Sequence, residues 1–265
     1  MRTQPEPRNV AQIHYSISWG DARGMATTFK QWQDVISDPK LDRRFGSQLI
    51  ISELGILIES TFYGTADELR ATGIPDRLPK TRFGGPSTIL VSDYLSSLAH
   101  AAEMEALYLT GINIPFYSKS LGFRVQELFS QAGLESVMNY IKNTDKGTLV
   151  WAIIFDLEGG AVNDVALNAT AYPHRDKIMF YQSYAVGIPG VSQQTKNFLG
   201  GLDGAIRATA SPMAPWTVYA GYVDPKLGPD AQPFYWGLNY PTLRQIKRRW
   251  DPADVFRNPQ GVRPA

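Results

Sequence analysis

Leu149-Val150-Trp151-Ala152-Ile153-Ile154-Phe155-Asp156-Leu157 is a run of strand-forming side chains that stops at the double glycine Gly159-Gly160. It is short, rich in β-branched and aromatic residues and bounded by a turn signal, which predicts a strand. It is also apolar enough to predict burial on both faces. Period-two alternation puts Trp151, Ile153 and Phe155 on one face and Val150, Ala152, Ile154 and Asp156 on the other. Asp156 is the one polar side chain of the run. Further strands are predicted around it: Val10–Ser18, with Ile13, Tyr15 and Ile17 on one side, then Leu49–Ser52, Gly55–Phe62, Lys177–Val186 and Thr217–Tyr222.

Helical spacing marks the intervening elements. Met25, Phe29, Trp32 and Ile36 recur at three or four residues, as do Phe198, Leu202 and Ile206. Helices are also predicted over Thr65–Ala71, Tyr94–Leu109 and Val125–Ile141. Thr65 with Glu68 three residues on forms a capping box for the first of these. Ile74–Ser87, rich in Pro, Gly and Arg, reads as a loop. The last helix is expected over Pro241–Trp250, and Pro241 suits its first turn, where no amide hydrogen bond is lost. Leu243, Ile246 and Trp250 are expected to face inward, and Arg244, Lys247, Arg248 and Arg249 outward. The order predicts an α+β fold: a large, mostly antiparallel sheet with helices packed on one face, closed by a C-terminal helix-containing segment. The divisions expected are a flexible arm over 1–9, an α+β domain over 10–216 and a C-terminal segment over 217–265.

The chain has 265 residues, 43% of them hydrophobic, and a formal net charge of +1. That length and composition support a large core. The charge balance argues against a nucleic-acid partner. No apolar run reaches the length of a membrane span, and no apolar stretch of a secretory leader follows Met1. The absence of cysteine excludes disulfides and thiolate chemistry within the chain. His14, His100 and His174 are far apart and form no metal-binding motif. Neither a nucleophile elbow nor a phosphate-binding loop is present.

Three blocks carry a family resemblance. The first is Tyr235-Trp236-Gly237-Leu238-Asn239-Tyr240-Pro241, followed by Trp250-Asp251-Pro252 and Val255-Phe256-Arg257-Asn258-Pro259-Gln260. The second is Tyr219-Ala220-Gly221-Tyr222-Val223-Asp224. The third is Ala171-Tyr172-Pro173-His174-Arg175 with its aromatic strand, and Phe116-Tyr117-Ser118-Lys119-Ser120-Leu121 adds a weaker match. Together they resemble the C-terminal part of the FAD-linked oxidases that include berberine bridge enzyme and glucooligosaccharide oxidase.

The resemblance implies a substrate domain with a large antiparallel sheet, and FAD as cofactor. It places Tyr222 as the base beside the flavin, with Gly221 where the family usually has Asn. Removing a hydroxyl proton as hydride leaves requires such a group, and a phenol must be tuned to serve. It places Tyr181 and Gln182 against the substrate, although alternation lets only one of them face a given side. Asp156 and Trp151 are added as substrate contacts, Trp151 as an aromatic platform. Tyr235, Trp236, Gly237 and Asn239 are expected to touch FAD. His174 reads either as a base or as a sheet-edge hydrogen-bonding residue, and Lys119 as a solvated charge. The family's main FAD-binding domain has no counterpart in these residues. FAD is therefore expected to be held mainly by a separate FAD-binding polypeptide or a missing domain, and only loosely by this chain. The partner expected is a small-molecule substrate, less polar than a sugar, as a secondary metabolite would be. The other reading is a non-catalytic substrate-binding or dimerisation module derived from such an oxidase.

Overall fold

A computed structural model describes residues 5–81, 89–99, 114–209, 216–222, 224, 226–228, 231–258 and 260–265. Seven strands form one antiparallel sheet: β1 (Val10–Ile17), β2 (Phe45–Ser52), β3 (Gly55–Phe62), β4 (Leu90–Ser92), β5 (Phe116–Phe123), β6 (Trp151–Leu157) and β7 (Met179–Val186). Their spatial order is β4-β1-β3-β2-β6-β7-β5. The helices are α1 (Ala22–Ile36), α2 (Ala66–Ala71), α3 (Ile74–Arg77), α4 over residues 94–99, α5 (Gln131–Asn143), α6 (Gln193–Thr209), α7 (Gln232–Trp236) and α8 (Tyr240–Trp250). Among the described residues, no helix is long and apolar enough to cross a membrane.

Helices α1, α5 and α6 cover one face of the sheet. Phe29 of α1 lies at the centre of that layer, edge-on to Trp32, Phe129 and Phe155 with ring centroids 5.7, 5.8 and 4.7 Å away. Such edge-to-face pairs add specificity to what area burial already contributes. Phe155 in turn packs on Tyr181, and Trp151 packs edge-on to Phe198 of α6. The β2–β3 hairpin needs Gly55 at φ +123°, because a Cβ there would collide with the Ile17 carbonyl oxygen.

The capping box forms as expected. Thr65 Oγ1 accepts from the Glu68 amide, and Glu68 Oε2 accepts from the Thr65 amide. The central helix starts at Gln131, later than expected, because the segment from Val125 to Glu127 closes a 3-10 turn and Ser130 caps the helix proper. Residues Ile74–Arg77 are helical rather than loop, with Pro in the first turn. Of the helix expected over Tyr94–Leu109, residues 94–99 are helical and 100–109 lie outside the described residues, as do 82–87 of the expected loop.

Three further expectations about the fold are overturned. β6 is not buried on both faces: Ala152, Ile154 and Asp156 are half-buried and border an open cleft, while Leu149 lies outside the strand and exposed. Thr217–Tyr222 is not a strand. It makes one bridge, Thr217 to Gly122, and then turns as the Tyr222 amide bonds the Tyr219 carbonyl at 2.9 Å. Helix α8 buries no residue, and Ile246 and Trp250 are exposed. Its polar side anchors it instead: Arg244 donates to the Pro264 carbonyl, and Lys247 pairs with Asp251 and Asp254.

Phe155 joins the α1 aromatic layer to β7, so Phe155→Ala should cost about 3–5 kcal/mol of stability. Urea unfolding would show this as a lower midpoint; a loss below about 1 kcal/mol would mean that the layer is not the core.

Candidate functional site

The face of the sheet away from the helices carries an open cleft of ≈ 930 Å³. Alternation selects its floor. From β6 it takes Ala152, Ile154 and Asp156, and from β7 Gln182, Tyr184 and Val186. Tyr222 closes one end. Its hydroxyl donates to Asp156 Oδ2 at 3.3 Å, and the Gln182 amide donates to the same oxygen at 2.9 Å. Asp156 thus collects Gln182 from the neighbouring strand and Tyr222 from a turn 66 residues away.

The electrostatics of this group differ from the tuning expected for a phenolate. Burial, then the Asp156 carboxylate, push the Tyr222 phenol above its ordinary value. Burial also raises Asp156, against the lowering effect of its bonds from Gln182 and Tyr222. Burial and the charge of Asp156 push Glu158 up to about 7. A desolvated carboxylate is a stronger proton acceptor than one in water. Because the Tyr222 hydroxyl donates its hydrogen bond to Asp156, its oxygen lone pairs can accept a hydrogen bond from another hydroxyl.

The Tyr222 turn is clamped to β5, the edge strand. Ser120, on the cleft face, donates to the Tyr222 carbonyl at 2.8 Å. Lys119, on the helix face, is not solvated as expected but buried. Its Nζ lies 2.7 Å from Asp224 and 3.9 Å from Asp203, which also pairs with Arg207. Adjacent residues of one strand therefore grip the turn from both sides of the sheet edge. A buried pair of this kind is costly to break, about 3–5 kcal/mol when one partner is removed.

The remaining expected residues separate by face. Gln182 faces the cleft. Tyr181 faces the helices: it is fully buried, packs on Phe155 and donates to Ser183 at 2.9 Å. Trp151 borders the cleft, but its ring packs on Phe198 on the helix side, with Nε1 donating to Glu53. Tyr235 is buried, its hydroxyl bonded to the Asp224 backbone. Trp236 Nε1 donates to the Gln260 carbonyl, and the Asn239 amide donates to the Leu167 and Thr170 carbonyls. Gly237 turns the chain at φ +48° against Pro173. His174 is caged by Tyr172, Phe180 and Tyr219 and bonds the Tyr235 backbone; burial and then Lys177 pull it down to about 4. It is therefore neutral near pH 7 and packs under the Tyr222 turn.

Sequence reasoning missed Glu158, near Asp156, and in the cleft Tyr184, Gln48, Glu59 and His14. The signal for the last three was present: they are polar residues at alternate positions of otherwise apolar strands.

A family model described as "Berberine and berberine like" matches residues 218–263, the Tyr222 turn and the closing segment together. An FAD-linked oxidoreductase, sorD, from Penicillium rubens is 31% identical over 273 residues, covering 100% of this chain and 56% of the relative. This chain corresponds to the C-terminal part of the FAD-linked oxidase family that includes berberine bridge enzyme and glucooligosaccharide oxidase. A carbohydrate oxidase from Microdochium nivale is 32% identical, covering 78% of this chain and 43% of that protein. The chain spans about half the length of the curated relatives it matches. The xylooligosaccharide oxidase from Myceliophthora thermophila, solved with xylobiose, superposes with a TM-score of 0.82 at 24% identity, covering 98% of this chain and 56% of that one. At that identity the likeness shows the fold alone, a shared sheet and helix layer.

The Glu158 shift has a testable sign. The folded state holds this proton up to about pH 7, the unfolded state only to its ordinary value of 4.5. Stability should therefore fall as pH rises from about 4.5 through 7. Glu158→Gln should be neutral at about pH 4 and stabilising at about pH 8 by thermal melting. Equal effects at both pH values would contradict the shift.

Proposed function

We propose that this chain is the substrate-side half of an FAD-linked oxidoreductase, which oxidises a hydroxyl-bearing small organic molecule by hydride transfer to flavin. The observation that carries the reading is the hydrogen-bonded Tyr222–Asp156–Gln182 group at the end of a cleft on the open sheet face. The family match at 218–263 and the FAD-linked relatives support it.

In this reading the substrate's hydroxyl sits against Tyr222 Oη. Its proton passes to Tyr222 as the phenolic proton passes to Asp156 Oδ2, so Tyr222 need not rest as a phenolate. FAD, when bound, supplies the two-electron acceptor for the hydrogen on the adjoining carbon, and the substrate is left with a carbonyl. Gln182 holds Asp156 in place and keeps Oδ2 directed at Tyr222. Ser120 and Lys119 fix the height of the Tyr222 turn. The same pair of proton acceptors would do nothing for a pure binding module.

The residues present fit one wall of a flavin site. The polar atoms of the Tyr235, Trp236 and Asn239 side chains are engaged inside the chain. Against FAD they would act as a shaped, rigid wall through ring faces and backbone, with Gly237 allowing close approach. A glycine-rich turn opening a helix, of the kind that cradles a dinucleotide, is not found among the described residues. The phosphates and most of the cofactor would be held by a further FAD-binding part, on the same or a separate polypeptide.

In the FAD-loaded enzyme, Tyr222→Phe and Asp156→Asn should each lower kcat by about 10²–10⁴-fold, the usual contribution of a positioned proton acceptor. Turnover within twofold of the parent for Tyr222→Phe would remove it from the reaction. The rate should rise with pH as Asp156 ionises, and that limb should vanish in Asp156→Asn. In a separate check, these 265 residues incubated with FAD should emerge from gel filtration colourless. A retained flavin spectrum would overturn the one-wall reading.

A further inference from the structure

The open face of the sheet is ordered in rows by strand register. His14 pairs with Glu59, Glu59 with Gln48, and Gln48 with Asp156, so four polar residues from β1, β3, β2 and β6 form one row. The row is linked: Gln48 donates to Glu59, and His14 Nδ1 lies 3.6 Å from Glu59. The next row on the cleft floor is apolar until it reaches β7, with Ile50 opposite Ile154 and Ile154 opposite Gln182. Ala152, Val150 and Val186 continue this apolar floor.

The two polar ends are well separated. At about 4.8 Å per strand, Glu59 lies roughly 10 Å and His14 roughly 14 Å across the sheet from Asp156. Beside Gln48, whose amide is already bonded to Glu59, a sugar chain would meet Ile50, Ile154 and the valines, where the hydroxyls facing them would lose water without gaining partners. That loss weakens binding for each hydroxyl so buried. A flat apolar body would bury against the same surface favourably.

We infer that the cleft takes an elongated, largely apolar substrate with its reacting hydroxyl at Tyr222 and a second hydrogen-bond donor that Glu59 receives at the far end. The inference rests on the oxidase reading for the choice of reacting end. Glu59 supplies a carboxylate acceptor, buttressed by His14, and Gln48 couples that end to the Asp156 strand. The polar row sets length, and the apolar row sets the character of the middle.

Binding measured by calorimetry on this chain tests the inference without flavin or turnover. The probes are 4,4′-dihydroxystilbene, which has hydroxyls at both ends of an apolar body, 4-hydroxystilbene, which lacks one, and cellotriose. The dihydroxy probe should bind at least tenfold more tightly than the monohydroxy probe, and cellotriose should bind weakest. Glu59→Gln, nearly isosteric, should reduce the tenfold preference to about twofold or less. Ile154→Gln, on the cleft face, should weaken both stilbenes about fivefold or more and leave their ratio intact. Tighter binding of cellotriose, no binding of either stilbene at millimolar concentration, or a ratio that survives Glu59→Gln would each overturn the inference. The outcomes separate from those of the oxidase reading: Tyr222→Phe kinetics judge the proton path, and the probe ratio judges the far subsite.

Discussion

A residue on β6 or β7 can face the helices or the cleft, and never both. Everything else in the molecule follows from how that constraint is used. Phe155 and Tyr181 pack on the helix side of the same strands that present Asp156 and Gln182 on the other. The apolar side fixes the backbone of both strands to the rigidity of a packed interior. The polar side inherits that rigidity without contributing to the core. A one-residue slip in the β6–β7 register would exchange the faces, burying the carboxylate among aromatic rings. Core and site are therefore specified by the same pairing.

The turn carrying Tyr222 needs a different solution, because it belongs to no strand. It lies against the edge of the sheet, where β5 offers an unpaired side. The Thr217 bridge, the Ser120 bond and the Lys119–Asp224 pair together replace a strand's ladder. The closing segment adds to this from behind, since Tyr235 bonds the backbone of Asp224. Its aromatic motif, which suggests a ligand contact when read alone, is in this respect a brace. Of the residues expected to touch FAD, Tyr235 braces the turn while Trp236 and Asn239 are tied to Gln260 and to Leu167 and Thr170, and contact with a cofactor would use what they leave exposed.

Much of this is legible in the sequence, for physical reasons. Gly55–Phe62 alternates cleanly, and Thr65 with Glu68 forms a cap whose partners lie within four residues. Local patterns report local structure. The Tyr222 turn reads as a strand because its aromatics mimic alternation, whereas its conformation is set by β5, a hundred residues away. Lys119 looks solvated because its partners Asp203 and Asp224 are equally remote. The apolar residues of helix α8 suggest a buried face, but its ties are ionic, to Asp251 and Asp254 just beyond its end. Asp156 stands out in the sequence as the polar exception in its strand; its bond to Tyr222 joins elements that no sequence spacing connects.

The carboxylates weigh between the enzyme and binding-module readings. Asp156 is half-buried, and Glu158, two residues on and just past the end of the strand, is pushed up to about 7 by burial and the Asp156 charge. Two acids so placed disfavour each other's ionisation and cost stability at neutral pH. A sheet serving only to dock a partner gains nothing from that arrangement, and apolar residues there would be more stable. A proton acceptor, by contrast, needs a carboxylate with raised basicity and one fixed donor–acceptor partner. Asp156 has that basicity from burial, and Tyr222 is the partner. On the proposed oxidase reading, the stability given up at these positions is intelligible as the cost of a site poised to take a proton.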